Sequence, residues 1–216
     1  KHKHEIGWYK LAIELDMEDN DLVKVAKLGV ILHDIGKLTE EYQKVELLWQ
    51  QHWGKSIIKG FIAHTDFTGT AEERKARTVA KYRRPGHAIQ GAAAVGQSLE
   101  EFLIEQGWAA EDVSEIFLPA ILGAIARHHS ARACRDNLNA DVPNYCLCEG
   151  AESEIRRIFI THGLNQGSLK LSSWTPTAAR VLPKILPSPQ NRETFLLYLL
   201  LVRHVRLADQ KSFAEE

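Results

Sequence analysis

His33 and Asp34 stand side by side behind an apolar run, in Leu32-His33-Asp34-Ile35-Gly36-Lys37. A neutral imidazole and a carboxylate offered from neighbouring positions can serve one metal centre. Ten histidines in 216 residues provide further ligands. The candidates fall in four places: His4 near the start, the His33-Asp34 pair, the group His87, His128 and His129, and Asp209 in Arg206-Leu207-Ala208-Asp209. A helix, a short turn and a returning helix bring residues roughly thirty apart back to the same end of the pair, as His4 and His33 are spaced. Helical bundles build metal sites this way, from side chains on facing helices. His2 replaces His4 under a small shift of register, and Asp209 adds an oxygen from the last helix.

Successive helical residues point about 100° apart. At a helix end the second of two histidines can swing off the axis, so His128 and His129 can meet at one ion and, with His87, form a second nitrogen-rich position. Asp34 has two oxygens and can bridge two ions, which in dinuclear sites lie roughly 3.5–4 Å apart. Such a pair lowers the pKa of a shared water and neutralises the oxygens of a phosphodiester. Lys37, one turn after Asp34, adds positive charge for a pentacoordinate transition state. Mixed imidazole and carboxylate ligands suit Mn, Fe, Co, Ni or Zn better than Mg or Ca.

Each assignment has a plainer rival. An HD dipeptide can be a helix-terminal histidine with a capping aspartate, and His128-His129 a surface pair. Asp209 can pair with Arg206 on the helix surface, and a lysine such as Lys37 is by default exposed. Lys81, Arg83 and Arg84, and Arg127 and Arg132 beside the double histidine, make either a solvated basic face or a phosphate-steering patch. His64 and Asp66 line the cleft or shape a loop. His52, His162 and His204 are structural or surface residues.

The elements that must carry these groups read as helices almost throughout. Trp8, Leu11, Ala12 and Leu15 recur at helical spacing, and Asp16 to Asp21 reads as a polar turn. Leu22 to Leu32 is a mostly apolar, buried helix, with Gly36 near its stop. Thr39 with Glu40 and Glu41 starts the next helix. Gly54 to Gly86 is the least regular stretch. A helix begins near His87, and its Gly91, Ala92, Ala93, Ala94 and Gly96 predict close packing on a neighbour. Val113 to His129, Ile155 to Thr161 and Arg192 to Phe213 are further helices, and Asn137 to Gly150 is a loop. No strand ladder, repeat or low-complexity tract emerges, so the expectation is an all-α single domain.

Bulk properties narrow the function. Hydrophobic residues make up 44% of the chain, enough for a sizeable core. The formal net charge of -1 announces no global affinity for nucleic acid, so such a substrate must be held by a local patch or by metal ions. The longest greasy stretch, Phe195 to Val202, falls far short of a membrane span. Three cysteines, Cys134, Cys146 and Cys148, argue for reduced thiols rather than a disulfide framework. No signal peptide is evident, and the expected setting is cytoplasmic. The only methionine is Met17, which suggests a trimmed chain or one piece of a longer protein.

His33-Asp34 with an upstream histidine and a late aspartate resembles the HD phosphohydrolase superfamily. Ala63-His64-Thr65-Asp66, Arg84-Pro85-Gly86-His87-Ala88 and Arg127-His128-His129-Ser130-Ala131 narrow this. Together they are similar to the HD nuclease domain of type I CRISPR interference, which is fused to a DNA helicase or separate from it. The resemblance implies an all-α HD domain over residues 1–216 with a metal site between helices. It implies a prokaryotic enzyme that cuts single-stranded DNA with two transition-metal ions, with Mn, Fe, Co or Ni ahead of Mg or Zn. His4, His33, Asp34 and Asp209 would hold one ion, and Asp34, His87, His128 and His129 the other. Lys37 matches the lysine after the family's HD pair, and Arg83, Arg84 and Arg127 would hold the DNA backbone. No Walker-type Gly-Lys-Thr occurs, so a helicase motor and effector complex would be partners. The alternatives are an HD enzyme acting on nucleotides or cyclic dinucleotides, and an HD-like docking module without catalysis.

Overall fold

The computed structural model describes residues 12–13, 17, 19–54, 56, 60–63, 70–79, 86–96, 98–129, 144–165, 167, 169–173 and 191–212. Among these the chain is helical, and one antiparallel bridge, Thr39 to Leu147, is the only β pairing. The all-α expectation holds.

Helix α1, Asp19–Leu32, buries Leu22, Val25, Leu28 and Leu32, one apolar stripe at helical spacing. It starts inside the stretch that reads as a polar turn. A single 3₁₀ turn, Ile35–Leu38, follows, and α2 runs Glu40–His52. Helix α3, Ala71–Val79, lies in the stretch expected to be irregular. It is set by a capping box: the Glu73 amide donates to Thr70 Oγ1 at 3.2 Å, and the Thr70 amide donates to Glu73 Oε2 at 3.3 Å. Helix α4 is His87–Gly96 and α5 is Leu99–Glu105. A π turn at Val113–Phe117 leads into α6, Leu118–Arg127. Helices α7, Ala151–Thr161, and α8, Arg192–Ser212, follow.

Helix α6 is the centre of the fold. Every residue from Leu118 to Ala126 is buried, and α1, α4 and α8 surround it. Helix α8 presents Leu197, Leu201 and Val205, four residues apart, as a fully buried ridge. Helix α4 is built of small residues because it packs against the 3₁₀ turn backbone to backbone. A Cβ on Gly36 would lie 1.8 Å from the His87 carbonyl oxygen. One on Gly91 would lie 3.0 Å from the Gly36 amide nitrogen. Gly36 therefore serves as a close-approach residue beyond the end of α1, not as the stop signal that the sequence suggests. Short backbone ties hold the 3₁₀ turn from the other side: the Glu40 amide donates to the Cys146 carbonyl at 2.9 Å, and the Cys148 amide to Leu38 at 3.0 Å.

Candidate metal centre

Four helix ends converge. Asp34 and His33 follow the C-terminus of α1, His87 opens α4, His128 and His129 follow the C-terminus of α6, and Asp209 lies near the end of α8. Helix C-termini carry partial negative charge from unpaired carbonyls. Three of them meeting here, with two carboxylates, favour a cation.

The Asp34 carboxylate is at the middle. Its Oδ1 lies 3.4 Å from His87 Nε2, and its Oδ2 lies 3.3 Å from His33 Nε2 and 2.7 Å from Lys37 Nζ. Asp209 makes a second, longer span, with Oδ1 4.0 Å from His33 Nε2 and Oδ2 3.9 Å from His129 Nδ1. His129 Nε2 and His87 Nε2 approach to 3.0 Å. His128 sits between the groups, its ring 5.1 Å from that of His33, 5.6 Å from His87 and 3.9 Å from His129.

Two of the imidazoles have fixed tautomers. His33 Nδ1 lies 2.5 Å from the Val30 carbonyl, and His128 Nδ1 lies 2.7 Å from the Ile125 carbonyl. A carbonyl only accepts, so both Nδ1 atoms carry the proton and both Nε2 atoms turn a lone pair to the centre. Such a backbone contact on the far nitrogen is how metal-ligating histidines are oriented.

The electrostatics agree. Burial pushes the Asp34 carboxyl upward, but the contact from His87 and the nearby His33 and Lys37 outweigh it and hold the group far below the usual carboxylate range. Burial first, then the neighbouring histidines, push His128 down to about 3 against the opposing bond to Ile125. His129 is lowered too, by burial and by His87, with Asp209 and Asp34 opposing. The centre thus holds an ionised Asp34 carboxylate beside His128 and His129 rings that are unprotonated at neutral pH.

This donor set fits a metal. His33 Nε2, Asp34 Oδ1 and His128 Nε2 are buried without a hydrogen-bond partner, which a protein interior rarely tolerates. Ligand atoms of His87, His128 and His129, and of His33, Asp34 and His128, form two groups within 4.8 Å. His128 belongs to both but has one free nitrogen.

Of the residues expected from sequence, His33, Asp34, Lys37, His87, His128, His129 and Asp209 share this site. His4, Arg83 and Arg84, with His2, His64, Asp66, Lys81 and Arg132, lie outside the described residues. Lys37 is buried at 5% exposure, unlike the default for a lysine. Arg127 projects toward α8, its guanidinium 5.9 Å from the centre of the Tyr198 ring. His204 faces its own helix, bonding the Leu200 carbonyl at 2.9 Å, and His52 stacks on Trp49.

Sequence reasoning missed the bracing residues. Tyr42 sets its ring edge-on to His87 at 5.4 Å. Gln43 donates to the Lys37 carbonyl at 2.6 Å and to the Ile62 carbonyl at 3.0 Å, and accepts from the Ile62 amide at 2.8 Å. Arg206 reaches across to another helix and donates to the carbonyls of His128 and Arg127.

The family described as Cas3, HD domain matches residues 3–199. The chain belongs to that family. No curated protein and no solved structure shows a significant match. Membership identifies an HD-type domain of the nuclease of CRISPR interference, a family of metal-dependent hydrolases. The match ends before Asp209, so that aspartate is linked to the centre by geometry rather than by the family. No described helix is long and apolar enough to cross a membrane.

Proposed function

We propose that this Cas3 HD domain is a nuclease that hydrolyses phosphodiester bonds of single-stranded DNA with two divalent transition-metal ions. The observation that carries this reading is the Asp34 carboxylate, whose two oxygens face different histidines while unpartnered lone pairs surround it. His33, Asp34 and Asp209 would hold one ion, and Asp34, His87 and His129 the other, with His128 available to either. His4 completes the first set if the family pattern extends to it.

Bound ions of this kind supply an activated water at neutral pH and neutralise phosphate oxygens. The protein's part is preparation. Carbonyls of Val30 and Ile125 hold two imidazoles in the ligating tautomer. After His87 and His33, Lys37 also favours the ionised Asp34 and, from 2.7 Å, would add a positive charge beside the reacting phosphate. The His129 side chain is 47% exposed, so the centre opens to solvent on that side, where a flexible strand can enter. Ion and phosphate contacts carry no base information, so sequence preference should be weak. Arg127, with Arg83 and Arg84, would contribute backbone contacts, and a helicase and effector complex would deliver the strand.

The test is metal analysis with cleavage of circular single-stranded DNA, using wild type and Asp34→Ala in Mn²⁺ or Co²⁺. The variant should keep the helical signature, lose bound metal and cut at least about a thousandfold more slowly, as expected when the group organising transition-state charge is removed. Undiminished cutting by Asp34→Ala would refute the bridging role. Hydrolysis of nucleotides in place of DNA would reassign the chain to another HD activity. Bound metal with no turnover on any phosphodiester would make it a docking module.

A further inference from the structure

Helix α8 does two things at the centre. It contributes Asp209, and three residues earlier, on the same face, it sends Arg206 to the end of α6. The Arg206 guanidinium donates from Nε to the His128 carbonyl at 2.8 Å and from Nη2 to the Arg127 carbonyl at 3.2 Å. These carbonyls belong to the last turn of α6, where no amide of the helix reaches them. A planar fork with fixed donors suits two successive carbonyls, and its charge suits a helix C-terminus. In return Arg127, on α6, lies against Tyr198 of α8.

His128 and His129 differ in what else restrains them. The His128 ring is buried and anchored by the Ile125 carbonyl. The His129 side chain is half-exposed, and its ring contacts run to His87 and His128 of the centre itself. Its position therefore depends on where the backbone leaves α6, and that is the point Arg206 grips.

We propose that Arg206 is a positioning residue for the metal centre: by capping α6 from α8 it fixes His129 relative to Asp209 and His87. The inference rests on the metal-centre reading above. It makes the ion held through His87 and His129 depend on Arg206, while the ion held through His33 and Asp34 does not.

The experiment is Co²⁺ titration of the metal-free protein, followed by calorimetry and the visible ligand-field spectrum, for wild type, Arg206→Ala and Arg206→Lys. Thermal midpoints in chelator are recorded in parallel. Wild type should take up two equivalents. In Arg206→Ala one equivalent should weaken about 10–100-fold, the loss typical when a partner that orients a ligand is removed. The other should stay unchanged, with the metal-free midpoint within a few degrees of wild type. Arg206→Lys, which keeps the charge and one donor, should recover part of the loss. Two unaltered equivalents in Arg206→Ala would overturn the proposal. So would equal weakening of both with a large fall in midpoint, the mark of a structural role alone. If wild type itself binds no Co²⁺, the metal-centre reading fails, and the role of Arg206, which rests on it, falls with it.

Discussion

The two sides of the candidate centre are built differently. On one side, His33 and Asp34 lead into the 3₁₀ turn that carries Lys37, and that turn is wedged against α4 with no room for a methyl group at Gly36. Backbone bonds to the 146–148 segment and the Gln43 side chain brace that turn. On the other side, His128 and His129 follow the end of α6; the His128 ring is buried, and His129 reaches into solvent. In the proposed mechanism a bridging Asp34 needs fixed geometry toward two ions, and it lies beside the most tightly packed backbone of the site. The proposed polymeric substrate would need access, and the open ligand, His129, lies where the chain leaves a helix.

The most damaging way to break this contrast is Gly36→Ala. The added methyl would meet the His87 carbonyl oxygen at 1.8 Å and the Gly91 amide nitrogen at 2.8 Å, both backbone. Relief requires α4 and the 3₁₀ turn to part, which moves His87 away from Asp34. Overpacking of this kind costs about 1–3 kcal/mol or more, and the clash with backbone places it at the upper end. Chemical denaturation should report that loss, and metal uptake should fall with it. A Gly36→Ala protein with wild-type stability and metal content would show that the braced side is less rigid than its packing implies.

How much of this was legible in the sequence follows the same division. The apolar stripes of α1, α6 and α8 are periodic, and the HD pair, the double histidine and Asp209 stood out by residue type. Helix α3 was missed although Thr70-x-x-Glu73 signals its start, because its residues are charged and show no apolar stripe. Gly36 is a glycine for a contact made fifty residues away in sequence, which spacing cannot reveal. Arg206 was weighed only against Asp209, its helical neighbour. Its partners are carbonyls of another helix, and a backbone carbonyl leaves no trace in residue type.

A second comparison separates the two adjacent histidines. His128→Ala removes a buried ring that touches the rings of His33 and His87, so it should lower stability by about 1–3 kcal/mol and weaken metal binding together. His129→Ala removes a half-exposed ring and should leave the metal-free stability nearly unchanged, within about 0.5 kcal/mol. Its metal affinity should still fall by at least about tenfold. Equal stability losses in the two variants would erase the distinction between a packed and an open ligand.

The smallest effect is the most specific to His128. Its folded pKa of about 3 lies below the ordinary 6.5, so the unfolded chain binds the extra proton first. The metal-free protein should therefore keep its full stability above pH 6.5 and lose it progressively as pH falls toward 3. At pH 5.5, one unit below the ordinary value, the loss from this group is about 1.4 kcal/mol. Asp34 acts in a separate window: its depressed pKa contributes stability above the ordinary 3.8 that is lost only as pH falls further. His129 shifts in the same direction as His128, but its exposure to water weakens the effect. Denaturation in chelator between pH 7.5 and 5 should show the slope in wild type and in His129→Gln, and a much shallower one in His128→Gln. A slope that persists undiminished in His128→Gln would mean that other groups carry the pH dependence and that burial of the His128 ring does not oppose its protonation.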